Sequence, residues 1–162
     1  MNKLSRTHFS WPALWVILGG VLFRMAGLYR PLLGNFSQYQ TGQAMMAKFF
    51  VEERFTNLFS PKLNMLVQGE PSLHLIHYPL SSLVAAVMAA IFGGEYSVWG
   101  RFQAVVFFAL AAFFLFRLVC LLCDEETARG ALIFFILCPL TIIYGQSFQS
   151  EMISVCSSII FF

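Results

Sequence analysis

GNFSQYQTGQAMMAKFFVEERFTNLFSPKLN, residues 34–64, is the longest stretch of this chain without a strongly apolar segment. Its aromatic residues and methionines recur at three- and four-residue spacing, which is typical of one face of an amphipathic helix. We expect that helix to end near Glu52 and Glu53, because carboxylates are unfavourable at the negative end of a helix dipole. Two interpretations follow: the helix lies on a membrane surface, or it forms the floor of an active site.

The composition of the whole chain indicates an integral membrane protein. Of its 162 residues, 59% are hydrophobic and 11% are charged, whereas a soluble domain carries about 25% charged residues. Several apolar runs approach the roughly 18–20 residues that span a bilayer core. The net charge of +2 and the lack of a basic patch argue against nucleic acid as a partner. The expected partners of the apolar surface are membrane lipids. All four cysteines lie in or beside apolar segments and predict no disulfide framework.

The apolar segments predict an all-α, multi-pass membrane protein. The first span, residues 11–28, follows a short basic N-terminus that the positive-inside rule assigns to the cytoplasm. An extracytoplasmic loop containing the amphipathic helix follows over residues 29–71. The further apolar segments cover residues 73–92, 98–122, 128–144 and 152–162. Arg117 and Arg129 flank the charged turn between two of these segments and favour a cytoplasmic position for it.

The last apolar run, residues 152–162, has only about half the length of a span. A chain end inside lipid would leave main-chain carbonyls unpaired, at a cost of several kcal/mol. We therefore expect the sequence to be the N-terminal part of a longer protein.

Short motifs follow one another in a particular order between residues 11 and 155, whereas no motif of a soluble enzyme is present. They are Phe36-Ser37-Gln38-Tyr39-Gln40-Thr41, Ala47-Lys48-Phe49-Phe50, Asn57-Leu58-Phe59-Ser60-Pro61, His77-Tyr78-Pro79-Leu80, and Pro139 with the polar turn that ends at Glu151. Their order and spacing resemble the integral-membrane GT-C glycosyltransferases, in particular the bacterial branch related to dolichyl-phosphate-mannose protein mannosyltransferases and aminoarabinose transferases.

The resemblance implies transfer of a sugar from a polyprenyl-phosphate carrier to a lipid, glycan or protein acceptor on the extracytoplasmic face. In that family a first-loop carboxylate acts as general base or helps to bind a metal, since an acceptor hydroxyl must lose its proton. Here Gln40 replaces the usual Asp, and His77 replaces the Glu of the family's E-F-P-L motif. Glutamine only orients a hydroxyl, so the base is Glu151, His77 or a residue beyond Phe162. No metal site is predicted, and the cofactor is unknown.

The carrier phosphate requires cations or hydrogen-bond donors nearby. Three basic residues are candidates for this role: Arg24, Arg30 and Lys48. Gln43 and Tyr78, which lie in or beside the motifs, complete the predicted substrate-binding set. For Arg24, an alternative is that its side chain extends to the lipid headgroups.

The polar loop and Glu151 lie on the same side of a membrane only if an even number of crossings separates them. Three apolar segments lie between them, so one must fail to cross. The segment 73–92 is the candidate, because His77 and Pro79 interrupt its start and irregular polar backbone is not tolerated against lipid. We expect it to be a juxtamembrane helix, with a full span as the alternative.

A second function remains open, that of a small non-catalytic multi-pass membrane subunit or binding protein. The spans contain few ionisable residues, which is unlike a transporter and suits an assembly subunit. If the chain is an N-terminal fragment of a glycosyltransferase, we expect the fragment alone to be inactive, because the rest of the carrier site is missing.

Overall fold

A computed structural model describes residues 11–30, 37–56, 58, 62–67, 70–73 and 79–162. Within these ranges the chain forms seven helices and one antiparallel hairpin. They are α1 (Trp11–Met25), α2 (Ser37–Glu52), β1 (Lys62–Val67), β2 (Glu70–Leu73), α3 (Leu80–Phe92), α4 (Tyr96–Leu122), α5 (Glu125–Leu137), α6 (Pro139–Tyr144) and α7 (Glu151–Phe161). The predicted helical fold is confirmed, and the hairpin in the first loop is an addition that the sequence did not predict.

Helix α4 is the centre of the bundle and contacts α1, α3, α5 and α7. It has 27 residues, and among the described residues it is the single helix long and apolar enough to cross a membrane. At 1.5 Å per residue it is about 40 Å long, more than the roughly 30 Å of a hydrocarbon core. Helices α1, α3 and α7 are also apolar but shorter, with 15, 13 and 11 residues.

Helix α1 runs antiparallel to α4. Gly20, in the middle of α1, lies so close to α4 and α5 that a Cβ there would be 3.2 Å from the Phe108 ring and 3.1 Å from Ile136. Just after α1 ends, the carbonyls of Gly27 and Leu28 each accept a hydrogen bond of 3.2 Å from Arg101 Nη1. Arg101 is buried near the start of α4, so its guanidinium group links the start of α4 to the segment that follows α1.

A two-residue turn joins α4 to α5 at the other end of the bundle. Asp124 caps α5: its carboxylate accepts hydrogen bonds from the Thr127 N–H at 2.8 Å and from Thr127 Oγ1 at 3.1 Å. These bonds favour the charged carboxylate and hold the pKa of Asp124 below its usual value. On the solvent face of the first turns, Glu125 and Arg129 form an exposed ion pair at 2.7 Å.

Helix α5 returns along α4, and its buried residues Ala128, Leu132 and Ile136 join the apolar core around Phe108. The predicted apolar segment 128–144 is not one helix, because Pro139 divides it. Proline has no N–H to continue the helix and restricts the residue before it. Cys138 accordingly has an extended ψ of 126°, and α6 begins at Pro139.

Helix α3 begins and ends beside the same end of α4. Near its start, Ser81 Oγ accepts a hydrogen bond of 2.9 Å from Gln103 of α4. At its end, the rings of Phe92 and Trp99 lie 5.5 Å apart. Both contacts fall within the first two turns of α4, so α3 does not run along the length of that helix.

Candidate functional site

The elements that carry the described members of the predicted site meet at the end of the bundle where α4 begins. Helix α2 ends at Glu52, as the sequence predicted. Its buried face differs from the prediction, however, because it contains two glutamines and because Tyr39 is 66% exposed. The buried residues of α2 are Gln40, Gln43, Met46, Ala47 and Phe50.

Gln40 connects α2 to the polar turn between α6 and α7. Its Oε1 accepts a hydrogen bond of 3.3 Å from the main-chain N–H of Phe148, and Gln40 is 7% exposed. This bond joins the two loops in which the sequence predicted catalytic residues. Gln40 is therefore directed at the protein main chain.

Phe148 anchors the same turn in the protein interior. Its ring is fully buried and packs against Gly100 of α4, where a Cβ would lie 2.2 Å from the ring. No real Cβ approaches a ring so closely, so the turn takes this position because residue 100 is glycine. The sequence offered no signal for this contact, because Phe148 lies 48 positions away in the chain.

Just after Phe148 in the chain, an amide and a carboxylate lie side by side. When the amide of Gln149 is oriented to donate, its nitrogen lies 3.2 Å from both carboxylate oxygens of Glu151. Gln149 is buried, whereas Glu151 is exposed and is the first residue of α7. Sequence reasoning missed Gln149, whose only signal was its position two residues before the predicted acid.

Glu151 also borders a small cleft between α6 and α7. The cleft has a volume of 260 Å³ and is lined mainly by apolar side chains. Its lining consists of Leu140, Thr141, Tyr144, Glu151, Met152 and Val155. An exposed carboxylate thus stands at the edge of an apolar groove.

The second buried glutamine of α2 also forms a hydrogen bond inside the bundle. Gln43 Oε1 accepts a hydrogen bond from Ser82 of α3, both residues being buried. Together with the bond between Ser81 and Gln103, this contact forms a polar layer between α2, α3 and α4. Buried amides and hydroxyls are stable when they are paired in this way.

The three predicted phosphate-binding cations lie in different surroundings. Arg24 is 1% exposed, and its two terminal nitrogens donate to the carbonyls of Gly20 at 3.1 Å and Ile136 at 3.0 Å. Its guanidinium carbon lies 3.7 Å from the centre of the Phe108 ring, a cation–π arrangement. These contacts connect α1, α4 and α5.

The other two cations are accessible. Lys48 lies on the exposed face of α2, 3.6 Å from the carboxylate of Glu52. Arg30 is exposed after α1 and lines a cavity of 710 Å³ near the start of α4. Of the three, Arg30 is the one that the structure brings to a cavity of ligand size.

The predicted site residues His77 and Tyr78 lie outside the described residues. In the part of the chain that is described, no three His, Cys, Asp or Glu side chains come together to hold a metal ion. The chain matches no protein-family model, no curated protein and no solved structure. The resemblance to the GT-C glycosyltransferases therefore stays a prediction that rests on the motifs quoted above.

Proposed function

We propose that the chain contributes the first part of a polyprenyl-phosphate-dependent glycosyltransferase site, located where α2 meets the turn before α7. One observation carries the proposal: Gln40 of the first loop is hydrogen-bonded to Phe148, three residues before Glu151. Two of the motifs that resemble the GT-C family, the one that contains Gln40 and the one that ends at Glu151, are thus neighbours in space. A sugar is transferred there from the lipid-linked carrier to a lipid, glycan or protein acceptor.

In this proposal Glu151 is the general base. Its carboxylate accepts the proton of the acceptor hydroxyl, the hydroxyl oxygen bonds to the anomeric carbon, and the bond from that carbon to the phosphate oxygen breaks. The polyprenyl phosphate leaves as an anion. Gln149, beside the carboxylate, and Gln40, bonded to the main chain of the same turn, act as positioning residues for Glu151.

The surroundings of Glu151 suit a lipid-linked donor. A polyprenyl chain needs an apolar groove that ends next to the reacting groups, and the 260 Å³ cleft offers one that is bordered by Glu151. The side chains of Leu140, Met152 and Val155 provide apolar contact for isoprene units. The cleft is large enough for a short part of the polyprenyl chain, and membrane lipid covers the rest of the polyprenyl chain.

The proposed topology is multi-pass in the inner membrane with a cytoplasmic N-terminus. Helices α1 and α5 each run antiparallel to α4, and both ends of α3 lie beside the first two turns of α4. This geometry supports α3 as a juxtamembrane helix. The first loop and the turn before α7 then share the extracytoplasmic side, and the turn between α4 and α5 is cytoplasmic.

One observation favours the alternative of a non-catalytic membrane subunit. Gln40, Gln43 and Gln103 all bond to groups within the protein, as expected of residues that hold helices together. In that case Glu151 is a solvated carboxylate at the start of a helix, where the helix dipole favours it.

A transfer assay separates the two functions. Membranes containing the chain, with any continuation of its reading frame, are supplied with a radiolabelled polyprenyl-phosphate-linked sugar, and labelled product is measured. We expect Glu151→Gln to reduce turnover by about 100-fold or more, the effect of losing a general base. Glu126→Gln, an exposed carboxylate at the other end of the bundle, is the matched control and should leave turnover unchanged. Equal turnover in both variants, or no consumption of donor, would reject the proposed role.

A further inference from the structure

A cavity of 710 Å³ opens between the segment that follows α1 and the turn that joins α3 to α4. Its volume lies within the range of about 300–1,000 Å³ that is typical of small-molecule sites. Its lining includes Tyr29, Arg30, Gly93, Glu95, Ser97 and Trp99. Apart from Arg30, none of them belongs to the site proposed above.

The aromatic side chains of this cavity include one that is fixed and one that is accessible. Trp99 Nε1 donates a hydrogen bond of 2.6 Å to the Gly93 carbonyl, and its ring packs against Phe92 and, edge to face, against Phe102. Tyr29 is 84% exposed. A position at the membrane interface would explain why one aromatic ring is exposed. It does not explain why a cavity with polar groups lies beside that ring.

The polar groups of the cavity have opposite charges. Arg30 supplies guanidinium donors, and Glu95 supplies a carboxylate whose position is held by a hydrogen bond of 3.3 Å from Ser97 Oγ. A phosphate would be attracted by Arg30 but repelled by Glu95. An uncharged polyhydroxylated ligand satisfies both, because hydroxyls donate to a carboxylate and accept from a guanidinium.

We propose that this cavity binds a saccharide, with an apolar sugar face against an aromatic ring and sugar hydroxyls between Arg30 and Glu95. The cavity adjoins the site described above, since Trp99 precedes Gly100, the residue against which Phe148 packs. The further assignment, that the saccharide is the acceptor of the transfer reaction, rests on the proposed function. The binding of a saccharide does not.

Tryptophan fluorescence gives a direct test, because Trp99 is the one tryptophan in the cavity. In the background Trp11→Phe and Trp15→Phe it is the sole tryptophan of the chain. The protein is reconstituted in phosphatidylcholine nanodiscs and titrated with methyl glycosides of glucose, galactose, mannose and arabinose. We expect at least one glycoside to give a saturable change in Trp99 emission.

Two variants and a control locate the binding. Tyr29→Ala and Glu95→Gln should each weaken glycoside binding about tenfold, the effect of losing one aromatic or charge-assisted contact. Glu126→Gln, at the opposite end of the bundle, should leave it unchanged. Inorganic phosphate should not compete with the glycoside.

Three results would overturn the inference: no saturable response to any of the four glycosides, equal affinity in Tyr29→Ala, Glu95→Gln and the control, or displacement of the glycoside by inorganic phosphate. The outcome is independent of the transfer assay. Glycoside binding without sugar transfer rejects the proposed enzyme and retains this site, whereas sugar transfer without glycoside binding retains the enzyme and rejects this site.

Discussion

Gln40 Oε1 lies 3.3 Å from the main-chain nitrogen of Phe148, although the two residues are 108 positions apart in the chain. The bond is buried, and it joins the first-loop helix to the turn that carries Gln149 and Glu151. A main-chain N–H buried away from water needs an acceptor, and here a side chain of α2 supplies it. The position of Glu151 therefore depends on α2.

Replacing Gln40 should destabilise the protein. In Gln40→Ala the Phe148 N–H loses its acceptor while remaining buried, and leaving such a group unpaired costs about 1–3 kcal/mol. The measurement is unfolding in detergent by denaturant or heat. Gln38→Ala is the matched control, because Gln38 lies on the exposed face of the same helix and its loss should change the free energy of unfolding by less than about 0.5 kcal/mol. Equal stability of the two variants would mean that the bond contributes nothing.

A pair of glycine variants tests the packing of the same turn. A Cβ at Gly100 would lie 2.2 Å from the Phe148 ring, so Gly100→Ala must displace the ring or the helix, at a cost of about 1–3 kcal/mol. At Gly130, within α5, nothing lies within 4 Å of the added Cβ. Gly130→Ala should therefore stabilise the protein by about 0.5–1 kcal/mol through helix propensity. Opposite shifts of the unfolding midpoint are expected, and shifts of the same sign would contradict this packing.

The sequence predicted where α2 ends but not which face it buries. An analysis of hydrophobic periodicity assigns every glutamine to the solvent-exposed face. Gln40 and Gln43 are buried, however, because each has a hydrogen-bond partner in the protein. These partners are Phe148 and Ser82, which are 108 and 39 residues away in the chain. No local pattern contains those partners. The break of the apolar segment 128–144 was different, since Pro139 alone prevents a continuous helix.

Arg24 shows the same limit for a charged residue. From the sequence, Arg24 near the end of the first span either binds the carrier phosphate or extends to the lipid headgroups. In the structure it donates to the carbonyls of Gly20 and Ile136, the second of them 112 residues away. Ile136 offers that carbonyl close to the break that Pro139 introduces. To predict this pairing from the sequence, one would have to know that α1 packs against α5.

A cysteine-labelling experiment tests the membrane topology. In a background in which the four native cysteines are replaced by serine, Glu95→Cys places a thiol in the exposed turn between α3 and α4. Because both ends of α3 lie beside the start of α4, we expect an impermeant maleimide to label this thiol from the extracytoplasmic side. The matched variant Glu126→Cys, in the first turn of α5, should be labelled from the cytoplasmic side. Labelling of residue 95 only from the cytoplasm would show that α3 crosses the membrane.

The cap at Asp124 makes stability depend on pH in an acidic window. Hydrogen bonds from Thr127 hold the pKa of Asp124 below its usual value, so the folded state binds a proton more weakly than the unfolded state. The stabilisation is fully present above the ordinary Asp pKa of about 3.9, and it is lost as the pH falls through the lower pKa of the folded state. Asp124→Asn keeps an acceptor for the cap but has no charge to titrate. The midpoint of thermal unfolding should therefore fall further in the wild type than in Asp124→Asn when the pH is lowered from about 5 to about 3. Parallel curves for the two proteins would remove Asp124 as a source of the pH dependence.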